Sequence, residues 1–118
     1  MKLNILKNDF TVCKVTDYTK VDLSADFRFT GKTDSESSLV CPTSAVPDNT
    51  IAREKGFRIV GMLDFSLIGI LSRISGILAE ERIGIFAVST FDTDYVFVKA
   101  ENFARAVEAL RKDGYEFE

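Results

Sequence analysis

Two carboxylates, Asp92 and Asp94, form the only close Asp pair in an apolar neighbourhood, within Ser89-Thr90-Phe91-Asp92-Thr93-Asp94-Tyr95-Val96-Phe97-Val98. A carboxylate at a strand end, with Thr hydroxyls and a free carbonyl nearby, can hold the ammonium of a small ligand. Asp-x-Asp is also a fragment of a Mg²⁺ or Ca²⁺ site, but the segment supplies no further carboxylate to complete one. Turn chemistry alone also accounts for Asp at such positions. A second candidate is Leu63-Asp64-Phe65-Ser66-Leu67-Ile68-Gly69-Ile70. A helix beginning there offers unpaired N–H groups and a positive dipole end, and Gly69 lets an anionic group such as an α-carboxylate approach the backbone. The competing reading makes Ser66 a helix cap and Gly69 a packing residue. Ser35-Glu36-Ser37-Ser38 before Leu39-Val40 could close over a ligand with its hydroxyls and a strand edge, or be a plain loop.

Other chemistries lack their parts. The chain contains no His, no Ser with an evident base, and no close Asp pair beyond the turn residues Asp92 and Asp94, so acid–base and nucleophilic schemes lack their parts and no catalytic residue is assigned. Cys13 and Cys41 lie far apart without C-x-x-C spacing, which argues against a zinc site or a disulfide framework; both read as half-buried thiols of a reducing compartment. No metal and no cofactor is expected.

Size and charge set the remaining bounds. A chain of 118 residues with 46% hydrophobic and 28% charged residues has the composition of an ordinary globule with a core of its own. The 15 Lys plus Arg against 18 Asp plus Glu, a net −3 without basic clusters, make nucleic acid an unsuitable partner. No apolar run approaches a membrane span of about 20 residues, and the first ten residues do not form a signal peptide, so no membrane association and a cytoplasmic location are expected.

The elements that must position these residues follow from periodicity. Residues 2–15 alternate and read as a hairpin, residues 16–25 as a surface connection, and residues 26–30 as a short strand. Leu39-Val40-Cys41 is a strand stopped by Pro42. Asp48 or Asn49 can cap a short helix through Lys55, closed by Gly56. Residues 57–62 form a strand. Asp64 or Ser66 can then cap a helix whose Leu67, Ile70, Leu71, Ile74, Ile77 and Leu78 recur at three- and four-residue spacing, ending at Arg82 and Gly84. Ile85–Val88 and Tyr95–Val98 are two strands joined by the Asp92/Asp94 turn. Glu101–Lys112 is a second amphipathic helix, stopped by Asp113-Gly114, and residues 115–117 are a last strand. Residues 57–118 thus read as βαββαβ, a ferredoxin-like α+β unit with its helices on one face of an antiparallel four-stranded sheet.

The stretch GMLDFSLIGILSRISGILAEERIGIFAVSTFDTDYVFV, together with ESSLVCP upstream, resembles the ACT domain family. The branch it resembles comprises small bacterial tandem ACT-like amino-acid-binding proteins related to the cytosolic arginine sensors of animals. The likeness covers most of residues 27–118. It implies a shorter, partial ACT-like half at residues 1–56 and an ACT domain at residues 57–118. It further implies a non-enzymatic regulatory module that binds a free amino acid between its two halves. Carried over position by position, the ligand contacts are Leu67, Ile68, Gly69 and Ile70, then Thr90, Phe91 and Asp94, with Ser38 and Leu39 from the first half. Asp94 would take a positively charged group of the ligand. A homodimer and a protein partner are the implied assemblies. The alternative is a ligand-free ACT-fold protein that serves dimerisation or interaction.

Overall fold

The computed structural model describes residues 2–64 and 69–118, with only the backbone of residue 64. Its contacts divide the chain into two compact units, residues 8–56 and residues 1–7 with 57–118. One long strand, β5 (Thr50–Asp64), contributes residues to both.

In the first unit β2 (Phe10–Val15) pairs antiparallel with β4 (Ser37–Pro42), and β4 with β3 (Phe29–Lys32), in the order β3-β4-β2-β5. Alternation along β2 and β4 buries Cys13, Val15, Leu39 and Cys41 as one cluster, with Tyr18, Val21 and Val46 packed against it. The expected hairpin over residues 2–15 is not present. β1 (Lys2–Leu3) instead pairs in parallel with β8 (Glu116–Phe117) in a separate two-stranded sheet. The physical reason is Leu3, which is 1% exposed and belongs to the core of the other unit. The expected helix over residues 48–55 is also absent, because that segment is the start of β5. Gly56 has φ +88° in mid-strand, so its conformational freedom serves an irregular strand position instead of a helix end.

In the second unit the strand order is β5-β7-β6, with β6 (Ile85–Ser89) and β7 (Thr93–Lys99) joined as the expected hairpin. A bulge between Ile59 and Gly61 shifts the β5–β7 register. Val60, Leu63, Val96 and Val98 pack with Ile74 and Leu78 of α1 (Ile70–Glu80) and Ala106, Val107 and Leu110 of α2 (Phe103–Lys112). Burying each large side chain contributes roughly 1.5–3 kcal/mol. α1 ends as the sequence suggests, although Arg82, at φ +59°, adopts the left-handed conformation, with N–H bonds from Arg82 and Ile83 to Ala79 and Leu78. Arg105 of α2 donates to the carbonyl of Glu81 at 2.6 Å and so ties the two helices where α1 ends. α2 begins after a 3₁₀ turn at Ala100–Asn102, slightly later than periodicity suggests. The last strand does not join the β5-β7-β6 sheet; β8 is held by β1, and the N–H of Glu118 donates to the carbonyl of Leu3 at 3.0 Å.

Candidate functional site

Asp94 lies on the middle strand β7, directly across from Ser89 on β6 and from Leu63 on β5. Alternation along β7 places it on the same face as Val96 and Val98, the face packed by the helices. It is therefore buried, at 8% exposure, at the end of an apolar stripe. Its carboxylate accepts a hydrogen bond from the Ser89 hydroxyl. Among the described residues no Lys or Arg reaches it. A buried carboxylate without a cation is costly, which makes Asp94 a group that gains by taking one. Asp92 differs: it is exposed in the turn and contributes to no cluster.

The turn that presents Asp94 is held by its threonines. The Thr90 N–H donates to the Thr93 carbonyl at 2.8 Å, and the Thr90 hydroxyl to the same carbonyl at 3.1 Å. The Thr93 hydroxyl donates to the Leu63 carbonyl on β5. Thr90 is therefore partly committed to the turn. Phe91 projects from the tip with 97% of its surface exposed.

Past the end of β5, Gly69 precedes α1 with φ +82°, a left-handed conformation that favours glycine, and among the described residues no side chain caps the helix. Its carbonyl accepts the first helical bond, from the Arg73 N–H at 3.0 Å. Among the described residues a Cβ at Gly69 would meet nothing within 4 Å, and the helix start has no acidic residue in its first turn. Ile70 is half-buried against the helical core. Leu67 and Ile68 lie outside the described residues, as does Ser66; Asp64 closes β5 and is not the helix cap expected from the sequence. Ser38 and Leu39 sit on β4 of the first unit. The Ser38 carbonyl accepts from the Tyr18 hydroxyl at 2.8 Å, and the Leu39 side chain is buried beside Cys13. Among the described residues no group of three or more His, Cys, Asp or Glu gathers to hold a metal ion, and no helix is long and apolar enough to cross a membrane.

Two residues were missed by sequence reasoning. Ser89 fixes the Asp94 carboxylate, and the signal for it was its register partner across the short turn. Thr93 pins the hairpin to β5, which no local pattern announces.

An antiparallel sheet with two helices packed on one face defines an α+β unit of the ferredoxin-like type, here with a buried acidic residue at one strand end. The ACT domain family model matches residues 54–112, half of the sequence, and the chain belongs to the ACT domain family. No protein of curated function matches it. Among solved structures it is similar to an Agobacterium tumefaciens protein, with 27% identity and a TM-score of 0.80 over 99% of this chain and 91% of that one. The aspartate kinase of Clostridium acetobutylicum, described as an allosteric enzyme, aligns with 17% identity and a TM-score of 0.61, over 90% of this chain and 33% of the kinase. The ligand-free regulatory subunit of Thermus thermophilus aspartate kinase aligns with 12% identity and a TM-score of 0.59, over 95% and 94% of the two chains. At such identities the two kinase likenesses concern the fold alone.

Proposed function

We propose that the chain is a non-enzymatic regulatory module whose ligand is a free amino acid. The observation that carries this reading is Asp94, a buried carboxylate fixed by Ser89 and lacking a cationic partner among the described residues, in a chain of the ACT domain family. Asp94 takes the ammonium or a cationic side chain. The helix start at Gly69 and Ile70 takes the α-carboxylate, together with Leu67 and Ile68, which precede it in sequence. Thr90 and Phe91 supply backbone at the turn. The finer reading adds Ser38 and Leu39 as the first half's contribution, with the ligand between a partial ACT-like half at residues 1–56 and the ACT domain at 57–118. It is supported by the sequence likeness to the branch that contains the arginine sensors. A ligand bridging two elements favours whichever arrangement brings them together, and this couples binding to self-association, a homodimer, or to a protein partner. The location is cytoplasmic on this reading. Calorimetric titration with each of the twenty amino acids tests it; flat heats throughout, with no thermal shift, would sink the proposal.

A second reading is favoured by Phe91, a large apolar side chain almost wholly exposed at the hairpin tip. It makes the chain a ligand-free interaction protein of ACT fold. Sedimentation separates the two, since the second reading requires an assembly indifferent to amino acids and to Asp94→Ala but weakened by Phe91→Ser.

A further inference from the structure

The two cysteines are chemistry that amino-acid binding leaves unused. On the β2–β4 pair, Cys13 stands across from Leu39 and Cys41 across from Thr11. The thiols are therefore diagonal neighbours on one face of the same antiparallel pair. Both are free and buried, 2% and 0% exposed, in the cluster with Val15 and Leu39. Cys13 is also near enough to Cys41 to raise its thiol pKa. The only two cysteines of the chain thus meet in space, although nothing in their sequence spacing announces it.

We propose that Cys13 and Cys41 form a modification site, a dithiol that a peroxide closes into an intramolecular cross-strand disulfide. One thiol loses its proton, and its sulfur attacks an oxygen of hydrogen peroxide. The O–O bond breaks, leaving a sulfenic acid and one water. The second sulfur then attacks the sulfenic sulfur, the S–O bond breaks, and a second water leaves with the second thiol proton. Two thiols and one peroxide become one disulfide and two waters, with each sulfur giving up one electron and the peroxide accepting two.

Strand geometry adds a consequence. Diagonal neighbours have α-carbons roughly 7–8 Å apart, whereas a disulfide spans about 7 Å at most. Closure therefore draws β4 toward β2, and with it Ser38 and Leu39 on the same strand. Any effect of this movement on amino-acid binding rests on the proposed function; the disulfide itself does not. The attacking species is the thiolate. Burial, and then the neighbouring Cys13, push the Cys41 thiol up to about 12, against a lowering influence of Arg28. Tyr18 packs on the cluster, and Lys14, Glu36, Arg53 and Glu54 line the same cleft as Cys13. Oxidation is accordingly slow at neutral pH and quickens as pH rises.

The test is peroxide treatment of the full chain, followed by alkylation in denaturant and intact mass measurement. The expected product is a monomer that has lost two hydrogens, takes up no alkylating agent, and recovers both thiols on reduction. Its formation is several-fold faster at pH 9 than at pH 7, and neither Cys13→Ser nor Cys41→Ser yields it. Two thiols still open to alkylation, oxygen addition without a link, a link only between chains, or a rate flat between pH 7 and 9 would each overturn the proposal. None of these outcomes depends on an amino acid being bound, so failure here is distinct from failure of the proposed function.

Discussion

Replacing Asp94 with Asn separates a ligand-binding carboxylate from a structural one, because the two roles predict opposite signs. The amide has nearly the same shape and can still accept from Ser89, so the hairpin keeps its hydrogen bond. What disappears is a negative charge buried to 8% exposure without a cation among the described residues. Removing an uncompensated buried charge is neutral or stabilising, here by about 1 kcal/mol, which for a chain of this size raises Tm by roughly 2–5 °C. Ligand binding moves the other way. A hydrogen bond to a charged group is worth about 1.5–3 kcal/mol, so loss of the charge weakens Kd by roughly 10- to 150-fold. Thermal unfolding without ligand gives the first number, and calorimetric titration with whichever amino acid binds the parent chain gives the second. An Asp94→Asn variant that melts more than about 5 °C lower yet binds unchanged refutes the reasoning, because Asp94 would then serve the hairpin and not the ligand.

Three further outcomes are expected. Leu3→Ala empties a core position and costs about 2–5 kcal/mol; Gly61→Ala, whose added Cβ would lie 3.4 Å from a Leu3 methyl, recovers part of this in the Leu3→Ala background, as denaturant unfolding of the double variant shows. Gly69→Ala meets no atoms of the described residues but must hold φ +82°, a strain of roughly 1–2 kcal/mol, so it lowers Tm modestly, and on the proposed function it weakens amino-acid binding as well. The Cys41 thiol is raised by burial from 9.0 to about 12 in the folded chain. Its contribution to stability is therefore complete below pH 9 and is lost as pH climbs from 9 to 12. Under reducing conditions the alkaline fall in stability should be shallower in Cys41→Ala, and equal slopes in the two proteins would contradict the raised thiol.

The second half of the chain was legible because its signals are local. Ile74 and Leu78 repeat at helical spacing, Val96 and Val98 at strand spacing, and the turn residues between β6 and β7 stand where a hairpin needs them. The first half was not, because partners distant in sequence decide it. Thr50 to Gly56 carries a capping signal before it, a Glu-Lys pair inside it and a glycine after it, all marks of a short helix. Sheet pairing overrode them, and the glycine became a left-handed residue within β5. Leu3 belongs to the core built by α1 and α2, a fact no alternation near the first residues could reveal.

The same contrast governs the candidate site. Asp92 and Asp94 look equivalent in sequence, two acidic residues flanking one Thr in one turn. The start of the strand makes them unlike: β7 begins at Thr93, so Asp94 points with Val96 and Val98 toward the helices, while Asp92 stays in the exposed turn. A metal would need both carboxylates on one side, and only Asp94 is carried by the strand, Asp92 lying before it in the turn. A single ammonium or guanidinium needs only one, buried enough for its charge to matter and fixed by a neighbour such as Ser89. The point at which one short strand begins therefore shifts the chemistry from paired carboxylates to one carboxylate taking one cation.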